Sequence, residues 1–318
     1  MNLHENNEAF KIFIENAAIY FDIKNRSIVE KDYYVTTFLK KLTEIQTDLI
    51  FKGGTSLSKA HKIIKRFSED IDISLRSQTD KPTNTQKRDL DENIKAITKK
   101  LGLKLNNPVN DPDRRDFIRY FIEYIPAFPS KTIKSFVLVE ASFFMKAFPE
   151  EILPVSSLVH DFMFAHDGGR EEIEKYGLQP FMVPVQSMER TFIDKVFAVL
   201  DYHLENKQPN TYENKIKDKS RHIYDLYKLY PKIKMDDEFT KLINEVYRIR
   251  KIYCDGLSTR LKINFHDELK EIITDGVYRF DYDKVTKTEL LQENVPYSEA
   301  ITVLSKIIED GHFDFPKK

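Results

Sequence analysis

Scarcity narrows what this chain can be. Its 318 residues include one cysteine, Cys254, so an internal disulfide framework and a cysteine-based zinc site are both excluded, a usage that fits a reducing cytoplasm. Cys254 itself reads as a small packed hydrophobe. An excess of one charge is also missing: 50 Lys and Arg face 51 Asp and Glu, so any nucleic-acid surface has to be a local basic patch. No apolar run approaches the roughly 18 residues that a membrane span requires. The opening MNLHENNEAF has neither a basic n-region nor an apolar h-region, and the expectation is a soluble, cytoplasmic protein with no membrane partner. Internal repeats and low-complexity tracts are absent apart from the last lysines. His160 and His166 lack a cysteine pair or His-x-x-x-His spacing, which argues against zinc there. The 41% hydrophobic content is enough for a core of ordinary size.

The informative stretch is residues 49–75, LIFKGGTSLSKAHKIIKRFSEDIDISL. Leu49, Ile50 and Phe51 form a short apolar run, and Gly53 and Gly54 interrupt it. Thr55 is placed to cap a helix reaching Ile64, and Ile71, Ile73 and Leu75 then alternate with Asp70, Asp72 and Ser74. The spacing predicts strand, turn, helix, strand. Side chains i and i+2 of a strand share a face, so Asp70 and Asp72 stand side by side. Their repulsion is relieved by a divalent cation, and paired carboxylates suit Mg²⁺, a hard ion that takes oxygen ligands and keeps waters or substrate phosphates. Without a Cβ, Gly53 and Gly54 let backbone N–H groups approach a phosphate closely. Taken alone, an Asp-x-Asp reads more readily as a solvated strand face.

Gly53-Gly54-Thr55 followed by Arg66-Phe67-Ser68-Glu69-Asp70-Ile71-Asp72 resembles the active-site signature of polymerase β-like nucleotidyltransferases. The wording KGGTSL…RFSEDIDIS is most similar to the AbiEii/AbiGii toxin family, which includes type IV toxin components and MenT-type tRNA nucleotidyltransferase toxins. Glu30-Lys31-Asp32-Tyr33-Tyr34 resembles the segment that precedes the glycine motif in this family, although these polar residues could also pair among themselves on the surface of a helix whose Ser27…Glu30 reads as a capping box.

Along the rest of the chain, residues 106–116 read as a turn-rich break. Residues 117–125 and 135–145 read as an antiparallel strand pair, in which Phe136, Leu138, Glu140 and Ser142 share a face. Glu140 is the best-placed candidate for the third acid that polymerase β-like enzymes carry; an edge-exposed glutamate fits as well. Residues 151–188 look irregular, with a short strand at 182–185 that Pro184 confines to an edge or a connection. Residues 188–203 form a strong amphipathic helix, and at ~100° per residue Lys195 falls at the border of its apolar stripe. It could snorkel to water or reach a phosphate; the resemblance favours the second. In both cases Lys195→Met is expected to leave the melting temperature nearly unchanged. The lysine-rich connection at 207–220 is a solvated loop or an RNA contact. Arg221 through Leu229 resembles the family's Arg-x-x-x-Asp-Leu-x-x-Leu motif. Periodicity alone puts Asp225 on the surface beside Arg221, whereas the resemblance puts it in the active site.

These readings imply an α/β (α+β) fold with a polymerase β-like core and mixed sheet over residues 1–180, and a mostly helical lobe over 181–318 completing the cleft. The resemblance implies nucleotidyl transfer from a nucleoside triphosphate to an acceptor, tRNA first among them, by a toxin with a nearby antitoxin in phage defence. Asp70, Asp72 and Glu140 are the expected Mg²⁺ ligands. Gly53, Gly54, Thr55, Ser68 and Arg66 are the expected nucleotide contacts, with Lys195 neutralising charge and Asp225 orienting metal, nucleotide or acceptor. A kinase-like phosphotransferase on protein, or a non-catalytic nucleotide binder paired with an antitoxin, are the alternatives.

Overall fold

The structure, a computed structural model, describes residues 1–79, 81–110, 116–208 and 214–315. The chain divides into two compact units, one of Met1–His61 with Glu69–Gln186 and one of Lys62–Ser68 with Ser187–Lys318. Among the described residues no helix is long and apolar enough to cross a membrane.

The first unit opens with helices α1 (Asn7–Tyr20) and α2 (Arg26–Ile45). There follow β1 (Leu49–Lys52), α3 (Gly53–Lys59), β2 (Asp70–Leu75), α4 (Asn84–Lys100), β3 (Lys104–Asn110), β4 (Phe117–Glu123) and β5 (Phe136–Ser142). The unit closes with β6 (Glu150–Val155), α5 (Leu158–Phe164), α6 (Gly169–Tyr176) and β7 (Phe181–Gln186). All seven strands join one mixed sheet in the order β3-β4-β5-β2-β1-β7-β6. Strand alternation sorts its two faces. Ile71 and Ile73 of β2 and Val137, Val139 and Ala141 of β5 are fully buried on the face where α2 and α4 lay their own apolar stripes, Phe38, Leu39, Leu42, Leu90 and Ile94 among them. The other face of the same strands carries Asp70, Asp72, Leu138 and Glu140, all half-buried.

The second unit is helical: α7 (Met188–Asn206), α8 (Arg221–Leu229), α9 (Asp237–Tyr253), α10 (Leu257–Arg260) and α11 (Phe265–Asp275), with two further helical stretches at Tyr297–Ala300 and Thr302–Asp310. Helix α7 is its axis, and α8, α9, α10 and α11 all pack on it. Phe192, Ile193, Val196, Phe197, Val199 and Leu200 are fully buried along its length. The seven residues Lys62–Ser68 are stitched into this unit: Phe67 N–H donates to the Leu290 carbonyl at 2.8 Å and Gln292 N–H to the Lys65 carbonyl at 2.9 Å.

Several sequence expectations give way. Helix α3 starts at Gly53 with Lys52 as its cap and stops at Lys59, so Thr55 lies inside it, fully buried, and does not cap it. Strand β3, residues 104–110, takes in the first part of the break expected at 106–116; residues 111–115 lie outside the described chain. The stretch 151–188 is ordered into β6, α5, α6 and β7. Strand β7 is interior, between β1 and β6. Its register with β1 is the single pair Phe51↔Val185, so the donor that Pro184 lacks is missed little there. Asn25, not Ser27, accepts the first-turn bond of α2, from Ser27 N–H at 3.2 Å. The connection at 207–220 falls partly outside the described residues.

Candidate active site

In the first unit the acidic face is built by register. Asp72 of β2 stands opposite Glu140 of β5 and Lys52 of β1, and Glu140 stands opposite Arg119 of β4. Residues paired in this way project from the same side of a sheet, with neighbouring strands about 4.8 Å apart. A row Lys52, Asp72, Glu140, Arg119 therefore crosses four strands, two carboxylates flanked by two cations, and Asp70 joins them one pleat along. Glu140 Oε1 accepts from Arg119 Nε at 2.7 Å, and Lys52 Nζ donates to Ser142 Oγ. Glu140 thus stands beside Asp72 on the sheet face, with its carboxylate held by Arg119 in this arrangement.

Gly53 shows how closely this face is packed. It sits in the left-handed region at φ +76°, and a Cβ there would lie 2.0 Å from Asp72 Oδ2. Only glycine lets the glycine turn and the acidic strand meet. An oxygen-only donor set with the backbone pressed against it fits Mg²⁺, which dehydrates reluctantly and is held by one or two carboxylates plus phosphates. Gly53→Ala has to move the Asp72 carboxylate and adopt an unfavourable φ. The expected result is a transfer rate lower by about 100-fold and a stability loss of about 1–2 kcal/mol, read from single-turnover kinetics and a melting curve. An unchanged rate would detach Asp72 from the chemistry.

The Glu30-Lys31-Asp32 segment does not pair among itself. Each side chain reaches a different partner. Glu30 is buried and accepts from Ala127 N–H at 2.7 Å and Phe128 N–H at 3.0 Å. Lys31, also buried, donates to the Lys134 carbonyl at 3.1 Å and to the Phe136 carbonyl, and it pairs with Glu69 Oε2 at 3.2 Å. Asp32 takes the Lys59 ammonium and accepts from Leu158 N–H at 2.8 Å. Lys31 thereby ties the residue before Asp70 to the start of β5, the two chain points whose alignment sets Asp72 against Glu140. Sequence reasoning passed over this role, yet a signal was present: Lys31 lies three residues after Ile28 and four before Val35, on the apolar stripe itself.

In the second unit Arg66, Lys195 and Asp225 meet. Arg66 Nε and Nη2 grip the two Asp225 oxygens at 2.6 and 2.7 Å, and Lys195 Nζ lies 2.6 Å from Oδ2. Asp225 has no exposed surface, and Arg66 and Lys195 are buried with it. Burial pushes the Asp225 carboxyl up, but the charges of Arg66 and Lys195 outweigh it and hold the group well below the usual carboxylate range. Burial pushes the Lys195 ammonium down. The surface Arg221–Asp225 pair expected from periodicity is absent from this arrangement, and Lys195 does not snorkel to water. Two cationic side chains thus share one buried carboxylate. Ser68 lies half-buried on the same Lys62–Ser68 segment as Arg66.

A cluster of lysines also lies in this unit. A cavity of about 550 Å³ is lined by Lys62, Lys228, Lys232 and Lys306 with Tyr227 and Tyr230. His160, buried and stacked on Phe164, and His166, whose Nδ1 lies 2.8 Å from the Phe162 carbonyl, belong to the α5 region of the first unit.

Comparison with known proteins adds the lineage. The family model described as "Nucleotidyl transferase AbiEii toxin, Type IV TA system" matches residues 38–297. Among solved structures, JHP933 from Helicobacter pylori is 14% identical, with a TM-score of 0.43 over 89% of this chain and 92% of that one. A second H. pylori protein, assigned provisionally as a nucleotidyltransferase, is 15% identical, with a TM-score of 0.40 over 87% of this chain and 92% of that one. No protein of curated function matches.

Proposed function

We propose that this chain, which belongs to the AbiEii nucleotidyltransferase toxin family, transfers a nucleoside monophosphate from a nucleoside triphosphate to the 3′ end of tRNA. The observation that carries the reading is the register that sets Asp70, Asp72 and Glu140 on one sheet face with Gly53 pressed against Asp72. In this reading Asp70 and Asp72, joined by Glu140 when Arg119 releases it, would hold Mg²⁺, which when bound neutralises and aligns the phosphates. Gly53, Gly54 and Thr55 cradle the phosphate chain through their backbone, and Ser68 adds a hydroxyl. The acceptor hydroxyl oxygen bonds to the α-phosphorus as the α–β bridging bond breaks, pyrophosphate leaves, and the hydroxyl proton passes to a carboxylate, for which Glu140 is the candidate. In the second unit, Arg66 and Lys195 supply positive charge to an anion and Asp225 fixes their geometry. The lysine and tyrosine cavity has the composition of a surface for single-stranded RNA, cations for the backbone and rings for bases.

Toxin–antitoxin membership also makes an antitoxin, encoded nearby, the expected protein partner, and phage defence the expected setting. The test is product mass. Purified chain, Mg²⁺, one nucleoside triphosphate at a time and total tRNA should yield RNA heavier by whole nucleotide residues, with pyrophosphate released in equal amount. A gain of a lone phosphoryl group, on RNA or protein, would overturn nucleotidyl transfer in favour of a kinase. Labelling of protein with RNA untouched would overturn the tRNA acceptor.

A further inference from the structure

Helices α7 and α11 of the second unit bring together a set of donors that nucleotidyl transfer does not use. His203 is on α7, and Glu268 and Glu271 lie three residues apart on one face of α11. His203 is 2% exposed, and its buried Nε2 has no hydrogen-bond partner. That nitrogen points at the two carboxylates, 3.3 Å from Glu268 Oε2 and 3.6 Å from Glu271 Oε1. These separations have a simple meaning. Ligands bonded to zinc at 2.0–2.2 Å in a tetrahedron stand about 3.3–3.6 Å from one another. The donor atoms of all three residues fall within 4.8 Å, the only such set of three or more among the described residues.

One other group competes for the place. Lys207, one turn after His203, puts Nζ 3.2 Å from Glu268 Oε2 and 2.8 Å from Glu271 Oε2. Its side chain is 40% exposed, so the ammonium can swing to water. Lys207 satisfies the carboxylates, but its ammonium contacts Glu268 and Glu271 and makes no hydrogen bond to His203 Nε2. A metal ion satisfies all three.

We propose that His203, Glu268 and Glu271 form a second metal site that takes a zinc-class divalent ion, binds α7 to α11, and excludes the Lys207 ammonium when filled. An imidazole nitrogen with two carboxylates and a water in the fourth position suits Zn²⁺; a nitrogen donor in a small set is wrong for Mg²⁺ or Ca²⁺, which seek oxygens. The site stands apart from the Asp70–Asp72 carboxylates in both donor chemistry and unit, so it holds whether or not the transfer reading does.

The experiment is zinc binding to the chelator-stripped full chain, read by competition with a chromophoric chelator and by melting temperature. Wild type should take up one tight Zn²⁺ per chain and melt about 3 °C or more higher with excess zinc, as a ligand of the native state must, with no such gain from Mg²⁺. His203→Gln should weaken this site by about 100-fold or more, and Glu268→Gln and Glu271→Gln by about 10-fold or more. Lys207→Met removes the competing cation and should tighten binding by about 10-fold, a gain that misfolding cannot imitate. Asp72→Asn should leave this ion in place. Stoichiometric zinc that ignores His203→Gln, no tight zinc in wild type, or no tightening in Lys207→Met would each overturn the proposal.

Discussion

Asp72→Asn lowers nucleotidyl transfer by about 1,000-fold while the melting temperature stays within about 1–2 °C of wild type. The rate falls because metal stabilisation of a phosphoryl transition state is worth several kcal/mol, and about 4 kcal/mol is three decades. Stability holds because Asp72 is half-buried on a face already rich in carboxylates, with Glu140 opposite it and Asp70 beside it. Removing one of three like charges relieves repulsion and offsets the loss of attraction to Lys52 across the ladder. The asparagine keeps the volume against Gly53, so the glycine turn is undisturbed. Pyrophosphate release by wild type and variant decides the matter. A variant that turns over at the normal rate would remove the acidic strand from the mechanism.

Asp225→Ala produces the opposite pattern, with a loss of about 3–5 kcal/mol of stability, the range for breaking a buried ion pair by deleting one partner. Two cations, Arg66 and Lys195, are left facing each other without the carboxylate they share. A melting temperature lower by about 10 °C follows. Lys195→Met is gentler, because Arg66 still grips both Asp225 oxygens, and about 1–3 kcal/mol is expected for the lost charged hydrogen bond. Sequence alone expected no change there; a fully buried partner makes the difference. The pH dependence has a definite sign. The Asp225 carboxyl is depressed in the folded chain, so its stabilisation is complete above the unfolded value of about 3.9 and drains away as pH falls below it. Between about pH 4 and 2, wild type should lose stability more steeply than Asp225→Asn. Parallel acid-unfolding curves for the two would mean that the carboxylate is not held as the structure has it.

What could be read from the sequence was local. The acids of β2 and the oily residues between them declare themselves by a period of two, and α7 by a period of 3.6. The contact between Gly53 and Asp72 could not be read in this way, because it depends on Lys52 pairing with Asp72 across β1 and β2, a register with no local mark. Asp225 failed for a related reason. Its charge on a short helix predicts water, and the Arg66 that reverses the prediction lies 159 residues away. Lys31 was legible in principle, since a lysine on an apolar stripe must find partners, but which carbonyls it finds depends on where β5 begins. Pro184 misled because β7, though interior, meets β1 over a single register pair, Phe51↔Val185.

The seven residues Lys62–Ser68 leave the first unit, join the second, and return as Glu69. The chain therefore changes units three times, and no single cut can separate them. A fragment ending at Gln186 would retain Arg66 but lose the Asp225 carboxylate that neutralises it, together with the Leu290–Gln292 backbone that pairs its segment. A fragment starting at Ser187 would keep Lys195 and Asp225 without the guanidinium that holds both oxygens. Two-hybrid baits, split reporters and domain-wise expression built at the 186/187 boundary would each present a damaged surface. Mapping an antitoxin on this protein calls for point variants of the intact chain.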